Sequence, residues 1–205
     1  MNVRERWLGK LATARHWSAV WRTRYIANPT RHNKWKLEQW RSRAKYAQRV
    51  IDRHTPVTGV SQKGLDLIKG FEGFRSCPYR DPVGAWTIGF GETAGVGPHT
   101  PCWTLQTAEG RLRARVDRDY LAPVLKLSKA VGLDLRQNEA DALASLVYNV
   151  GPGVLDKGRS MGEAIRARNR DQIANSFLLY DQAGGRRLEG LTRRRRRERQ
   201  LFLDT

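Results

Sequence analysis

Glu72, Asp81 and Thr87 form the set of side chains best suited to chemistry in this 205-residue sequence. A glycosidic bond breaks through an oxocarbenium-like state. It needs one carboxylic acid to protonate the leaving oxygen and one carboxylate to activate water or steady positive charge. Glu72 fits the donor and Asp81 its partner. Spacing alone is weak support, because with each residue type at about one position in twenty, chance would produce such a triplet in a few per cent of chains of this kind. The elements that would carry the three residues decide whether the spacing means anything.

Those elements can be read from the pattern. Ser61 is a natural helix N-cap, and Leu65, Ile68 and Phe71 follow at helical spacing on one face. Gly70 and Gly73 predict an end to that helix beside Glu72. Next, Cys77–Arg80 and Ala85–Phe90 read as two short strands around the turn formers Asp81-Pro82-Val83-Gly84. Alternation in the second strand predicts that Trp86, Ile88 and Phe90 face a core while Thr87 faces away. Thr87 and Asp81 would then line one wall of a cleft whose opposite lip bears Glu72.

The full string supplies context that the three residues lack. Gly70-Phe71-Glu72-Gly73, followed by Tyr79-Arg80-Asp81-Pro82-Val83-Gly84-Ala85-Trp86-Thr87-Ile88-Gly89-Phe90-Gly91, closely resembles the active-site region of the phage lysozyme family, glycoside hydrolase family 24. The resemblance continues through Asn138–Leu143, Tyr148-Asn149-Val150-Gly151, Ser160, Gly184-Gly185, Gly190–Arg194 and Glu198-Arg199, and covers residues 61–205. It implies an α+β lysozyme fold, with a small β-hairpin lobe and a mainly helical lobe. The implied reaction is hydrolysis of the β-1,4 bond between N-acetylmuramic acid and N-acetylglucosamine, with no metal and no cofactor. By position in the motif, Glu72 looks like the general acid, Asp81 the second carboxylate and Thr87 the residue that helps place water. Tyr148 and Asn149 match a cleft-lining turn and are candidate sugar contacts, although Gly151 allows them to be a helix end instead. Arg193 matches a position whose guanidinium lies near the catalytic Glu. Glu92 departs from the family, which often has His there.

Charge divides the chain. Residues 1–58 hold fourteen basic against three acidic side chains, a net +11 of the total +18, and five of the seven tryptophans. A boundary near Thr55–Gly59 is expected, with a lysozyme domain over 59–205. Trp7, Leu11, Ala14, Trp21 and Tyr25, then Leu37, Trp40, Ala44, Ala47 and Ile51 after the Asn28-Pro29-Thr30 break, predict two antiparallel helices. This basic Trp-rich hairpin either packs its apolar stripe or docks on an anionic cell-wall or envelope polymer. Nucleic acid is disfavoured, since no zinc-finger or RNP-type motif accompanies the charge.

Two cysteines, Cys77 and Cys102, lack the further ligands a zinc site needs, and they read equally as free thiols or as a disulfide closed in an oxidising compartment. No run approaches the roughly 18 apolar residues of a membrane span, and Met1–Leu11 lacks the core of a secretory signal. A monomer is expected, held in the host cytoplasm until release and then acting at the cell wall or periplasm. Two rival functions are a lytic transglycosylase, which would need Glu72 alone, and a non-enzymatic cationic binder or membrane disruptor acting through residues 1–58.

Overall fold

Pro29 ends the first helical run as its missing N–H requires, and Thr30 starts the second by accepting a hydrogen bond from the Asn33 amide at 3.2 Å. In the computed structural model, which describes residues 3–204, these runs are α1 (Val3–Ala27) and α2 (Arg31–Arg53). Together they make up the first of two compact units, which divide between Pro56 and Val57. Its small core centres on Leu11, Ala47 and Ile51, with Trp7 and Ala44 against them. Two helices bury little, so Trp35 stays 51% exposed and Ile26 71% exposed.

The second unit begins with α3 (Gln62–Glu72), capped as expected by Ser61, whose Oγ accepts from the Gly64 amide at 3.2 Å. Ser61 is itself held by Asp141, which accepts from its amide at 2.9 Å and its hydroxyl at 2.5 Å. Gly64 is required here, because a Cβ would lie 2.6 Å from the Asp141 carboxyl carbon. Strands β1 (Arg75–Arg80) and β2 (Trp86–Gly89) form an antiparallel hairpin. There follow α4 (Leu105–Arg115), a π-helical segment Val116–Leu121, α5 (Ala122–Ala130) and α6 (Gln137–Val150). After a 3₁₀ turn come α7 (Ser160–Arg166), α8 (Arg170–Ser176), the short strands β3 (Gln182–Ala183) and β4 (Arg186–Arg187), and α9 (Glu189–Leu203).

Every residue of α6 from Glu139 to Val147 is buried, the mark of a central helix. Ala140 and Ala144 face Leu65, Ile68 and Leu112 in one apolar cluster. Leu143, Leu146 and Val147 face Ile165, Phe177 and Phe202 in another. Fully buried Glu139 is neutralised by Arg136 and Arg170, each at 2.7 Å. Although burial works in the opposite direction, these two guanidiniums hold its carboxyl below the usual glutamate range.

Burial in β2 is more even than its alternating side chains alone would give. Trp86 is half-buried, whereas Thr87 is 3% exposed and Ile88 fully buried, so burial does not alternate. A four-residue strand covered on both faces shows no amphipathic pattern.

Cys77 and Cys102 are joined in a disulfide, resolving the open choice between thiols and a bridge. The bridge ties β1 to the segment before α4, where the Trp103 amide also donates to the Ser76 carbonyl at 2.7 Å. It encloses the chain that carries Asp81 and Thr87. Closing a loop of 25 residues should contribute roughly 3 kcal/mol by restricting the unfolded chain. Urea unfolding of a Cys77→Ser/Cys102→Ser variant should show that loss. An unchanged midpoint would mean that packing alone holds the hairpin.

Candidate active site

Glu72 is the last residue of α3, and Gly73 follows with φ of 70°, a left-handed backbone that stops the helix. The Glu72 side chain is 24% exposed, and its Oε1 accepts from Arg194 Nη1 at 2.6 Å. Arg194 is 4% exposed and lies over the Phe71 ring at 5.1 Å, which leaves its guanidinium little freedom. The candidate proton donor is therefore fixed by a buried cation supplied from α9.

Asp81 is fixed differently. Its Oδ1 accepts from the Val83 amide at 3.0 Å and the Ala85 amide at 2.8 Å, an Asx turn that uses the short side chain as a backbone mimic. Among the described residues, Oδ2 accepts no hydrogen bond and remains available to water. Thr87 donates through Oγ1 to the Ala85 carbonyl at 3.2 Å, so Asp81 and Thr87 share Ala85 as a neighbour. The hairpin register then governs how far Asp81 lies from the helix end. Arg75 pairs with Gly89 and Arg80 with Trp86, so β1 spends two more residues than β2 over the same distance, with an irregularity between Arg75 and Tyr79. A bulged path of this kind covers about 10 Å, set by the three steps of β2, rather than the roughly 17 Å of five extended steps.

The far end of β2 is anchored to the helical lobe. Tyr148 donates its hydroxyl to the Phe90 carbonyl at 2.9 Å and accepts from Arg115 Nη2 at 2.8 Å. Burial pushes this phenol far above its ordinary range. The Arg194 guanidinium also lies 5.9 Å from the Tyr148 ring centre, so one aromatic side chain connects the cation at Glu72 with the strand leading to Thr87. That makes Tyr148 a brace whose hydroxyl is already committed. Asn149 is exposed, with its Oδ1 accepting from Arg195 at 3.0 Å. Its amide NH₂ is directed by that bond. Glu92 caps its own loop by accepting from the Thr93 and Ala94 amides, each at 3.1 Å, and pairs with Arg115 at 3.4 Å.

Arg193 corrects a sequence expectation. It is exposed and pairs with Glu189 at 3.3 Å, and its neighbour Arg194 is the cation at Glu72. One step along a helix turns a side chain by about 100°, and in a run of five arginines the sequence does not show which step faces inward.

Glu198, which the resemblance includes without assigning it a role, organises the cations behind Glu72. Glu198 is fully buried and accepts from Ser145 Oγ at 2.7 Å, while Arg195 Nε lies 2.7 Å from its other oxygen and Arg194 Nε 3.2 Å away. Burial drives the Glu198 carboxyl up and the Arg195 guanidinium down, and their mutual attraction opposes both shifts. The available signal was a single acid, Glu198, at i+4 and i+3 from two arginines.

The family model for phage lysozyme matches residues 69–198. The endolysin of Bacillus phage B103 is 39% identical over 148 residues, 70% of this chain and 54% of that protein. The endolysin of Salmonella phage P22 is 32% identical over 144 residues, 70% of this chain and 97% of that protein. The chain thus spans about half the length of the B103 relative and nearly all of the P22 one. Among solved structures, the muramidase domain of SpmX from Asticaccaulis excentricus superposes with a TM-score of 0.63 at 28% identity, covering 73% of this chain and 100% of that one. A mutant of P22 lysozyme superposes with a TM-score of 0.61 at 30% identity, covering 72% and 100%.

Proposed function

The chain belongs to the phage lysozyme family, and from that premise we propose that it hydrolyses the β-1,4 bond between N-acetylmuramic acid and N-acetylglucosamine in peptidoglycan, as an endolysin. Glu72 protonates the leaving oxygen. Asp81, with Oδ1 held by two amides and Oδ2 accepting no hydrogen bond among the described residues, faces the developing positive charge or the attacking water. Thr87 helps to place that water, and Asn149 is a candidate contact for the glycan. The observation that carries this reading is the pair of carboxyls fixed by unlike means, Glu72 by the buried Arg194 and Asp81 by backbone donors.

A lytic transglycosylase would break the same bond with the acid alone: the muramic 6-hydroxyl attacks its own anomeric carbon, and the protonated 4-oxygen of N-acetylglucosamine leaves. The ordered Asp81 carboxylate argues against that rival. Asp81→Asn tests it, since the amide oxygen can still accept from Val83 and Ala85 and so keep the turn. Turnover of purified peptidoglycan should fall by roughly 10²-fold or more if Asp81 works on water. Near-native turnover would favour the transglycosylase.

Residues 1–58 would hold the enzyme on an anionic component of the envelope through their net charge of +11. No described helix is long and apolar enough to cross a membrane. The proposed course is accumulation as a monomer in the host cytoplasm, release, and action at the wall or in the periplasm.

A further inference from the structure

The five tryptophans of the first unit lie on one flank of the helical hairpin, interleaved with cations. Along α1, Trp7, Lys10, Ala14, Trp17, Trp21 and Arg24 recur in steps of three and four, which places them on one face for about 25 Å. The contacts join this face to α2. Tyr46 meets Trp7 edge-on at 5.3 Å, Trp40 stacks on Trp17 at 6.0 Å, and His32 meets Trp21 at 5.9 Å and Trp35 at 6.2 Å. Cations cover these rings: Lys10 over Trp7 at 4.2 Å, Arg43 over Trp40 at 4.5 Å, Arg24 over Trp21 at 4.7 Å and Lys36 over Trp35 at 5.0 Å. Between the helices on this flank runs a groove of about 720 Å³ lined by Trp7, Trp40 and Tyr46 and edged by Arg6, Lys10 and Arg43. The opposite groove carries charge without indoles, among them Arg15, Arg22, Arg41 and Lys45.

We propose that the indole-bearing flank of α1 and α2 docks on an anionic phospholipid bilayer, with the cations on lipid phosphates and the indoles at the boundary with the acyl chains. This refines the envelope-binding reading above and does not depend on the hydrolytic one. Charge complementarity selects an anionic surface. The rings select a lipid over a sugar polymer, because one face of four indoles is covered by a cation and Trp17 is stacked on Trp40, which leaves little ring face for a sugar. Indoles favour the membrane interface, where their polar and apolar parts are both matched. A cation paired with such a ring reaches lipid phosphate while its stem and the ring stay in the apolar boundary.

The full chain would be sedimented with vesicles of phosphatidylglycerol and, separately, of phosphatidylcholine, and in parallel with purified cell-wall sacculi. Of the two kinds of vesicle, only phosphatidylglycerol is expected to bind, with tryptophan emission quenched by lipids brominated in the acyl chain. Lys10→Glu/Arg43→Glu should weaken vesicle binding by about tenfold or more. Arg22→Glu/Lys45→Glu, with the same change in net charge on the other flank, should weaken it far less. Helicity by circular dichroism checks the hairpin, and Trp35→Ser at a half-exposed site replaces the first pair if that pair unfolds. Equal losses from the two pairs, absence of quenching, or no binding to phosphatidylglycerol would overturn the proposal. Retention on sacculi without vesicle binding would remove the lipid assignment and leave the envelope reading. Binding to neither would remove both.

Discussion

Glu72→Gln should lower cleavage of purified peptidoglycan by at least about 10²-fold while leaving wall binding unchanged. Glutamine fills the same space at the end of α3, and its amide oxygen can still accept from Arg194 Nη1, as Glu72 does at 2.6 Å. The proton is what it lacks. Loss of turbidity and release of soluble fragments both report the change, and pelleting with walls reports binding. If the variant still lysed cells at the native rate, the +11 segment would be acting as a membrane disruptor and the enzyme reading would fail.

Glu198→Gln should lower stability by roughly 3–5 kcal/mol, because it leaves two buried guanidiniums without their shared counter-charge. Arg194 and Arg195 are 4% and 0% exposed, so water cannot replace the lost carboxylate without disturbing α6 and α9. For a unit of this size that loss corresponds to a fall in Tm of about 10 °C. Calorimetry measures it directly, and Glu189→Gln supplies the control. Glu189 pairs with Arg193 in the same helix, but the two side chains are 84% and 67% exposed, and removing such a pair should leave Tm unchanged. Equal effects from the two variants would mean that the buried cluster contributes no more than a surface pair. Activity of Glu198→Gln below its unfolding temperature would be reduced as well, since Arg194 holds Glu72 from the same cluster.

Local rules made much of this legible from the residues. Ser61 could be recognised as a cap because its hydroxyl suits an orphan helix amide, and the Asp81-Pro82-Val83-Gly84 turn because each residue type favours turning for its own reason. Asn28-Pro29-Thr30 showed the break between α1 and α2 in the same way. Where tertiary contacts decide, the sequence was silent or misleading. The burial of Thr87 was not legible, because alternation assigns it a face and only tertiary contacts cover that face. Arg193 and Arg194 are chemically identical, and only the rotation of α9 against α3 and α6 distinguishes them. The tryptophans of α1 share helical spacing with Leu11 and Ala14, yet those smaller residues take the core and the indoles flank it. A two-helix core is too narrow for five indoles.

The central claim is that water attacks the sugar while Glu72 protonates the leaving oxygen. It is tested most directly by digesting purified peptidoglycan in ¹⁸O-labelled water and identifying the new ends by mass spectrometry. The account predicts reducing muramic acid ends that each carry one ¹⁸O. Unlabelled 1,6-anhydro-muramic ends would contradict it.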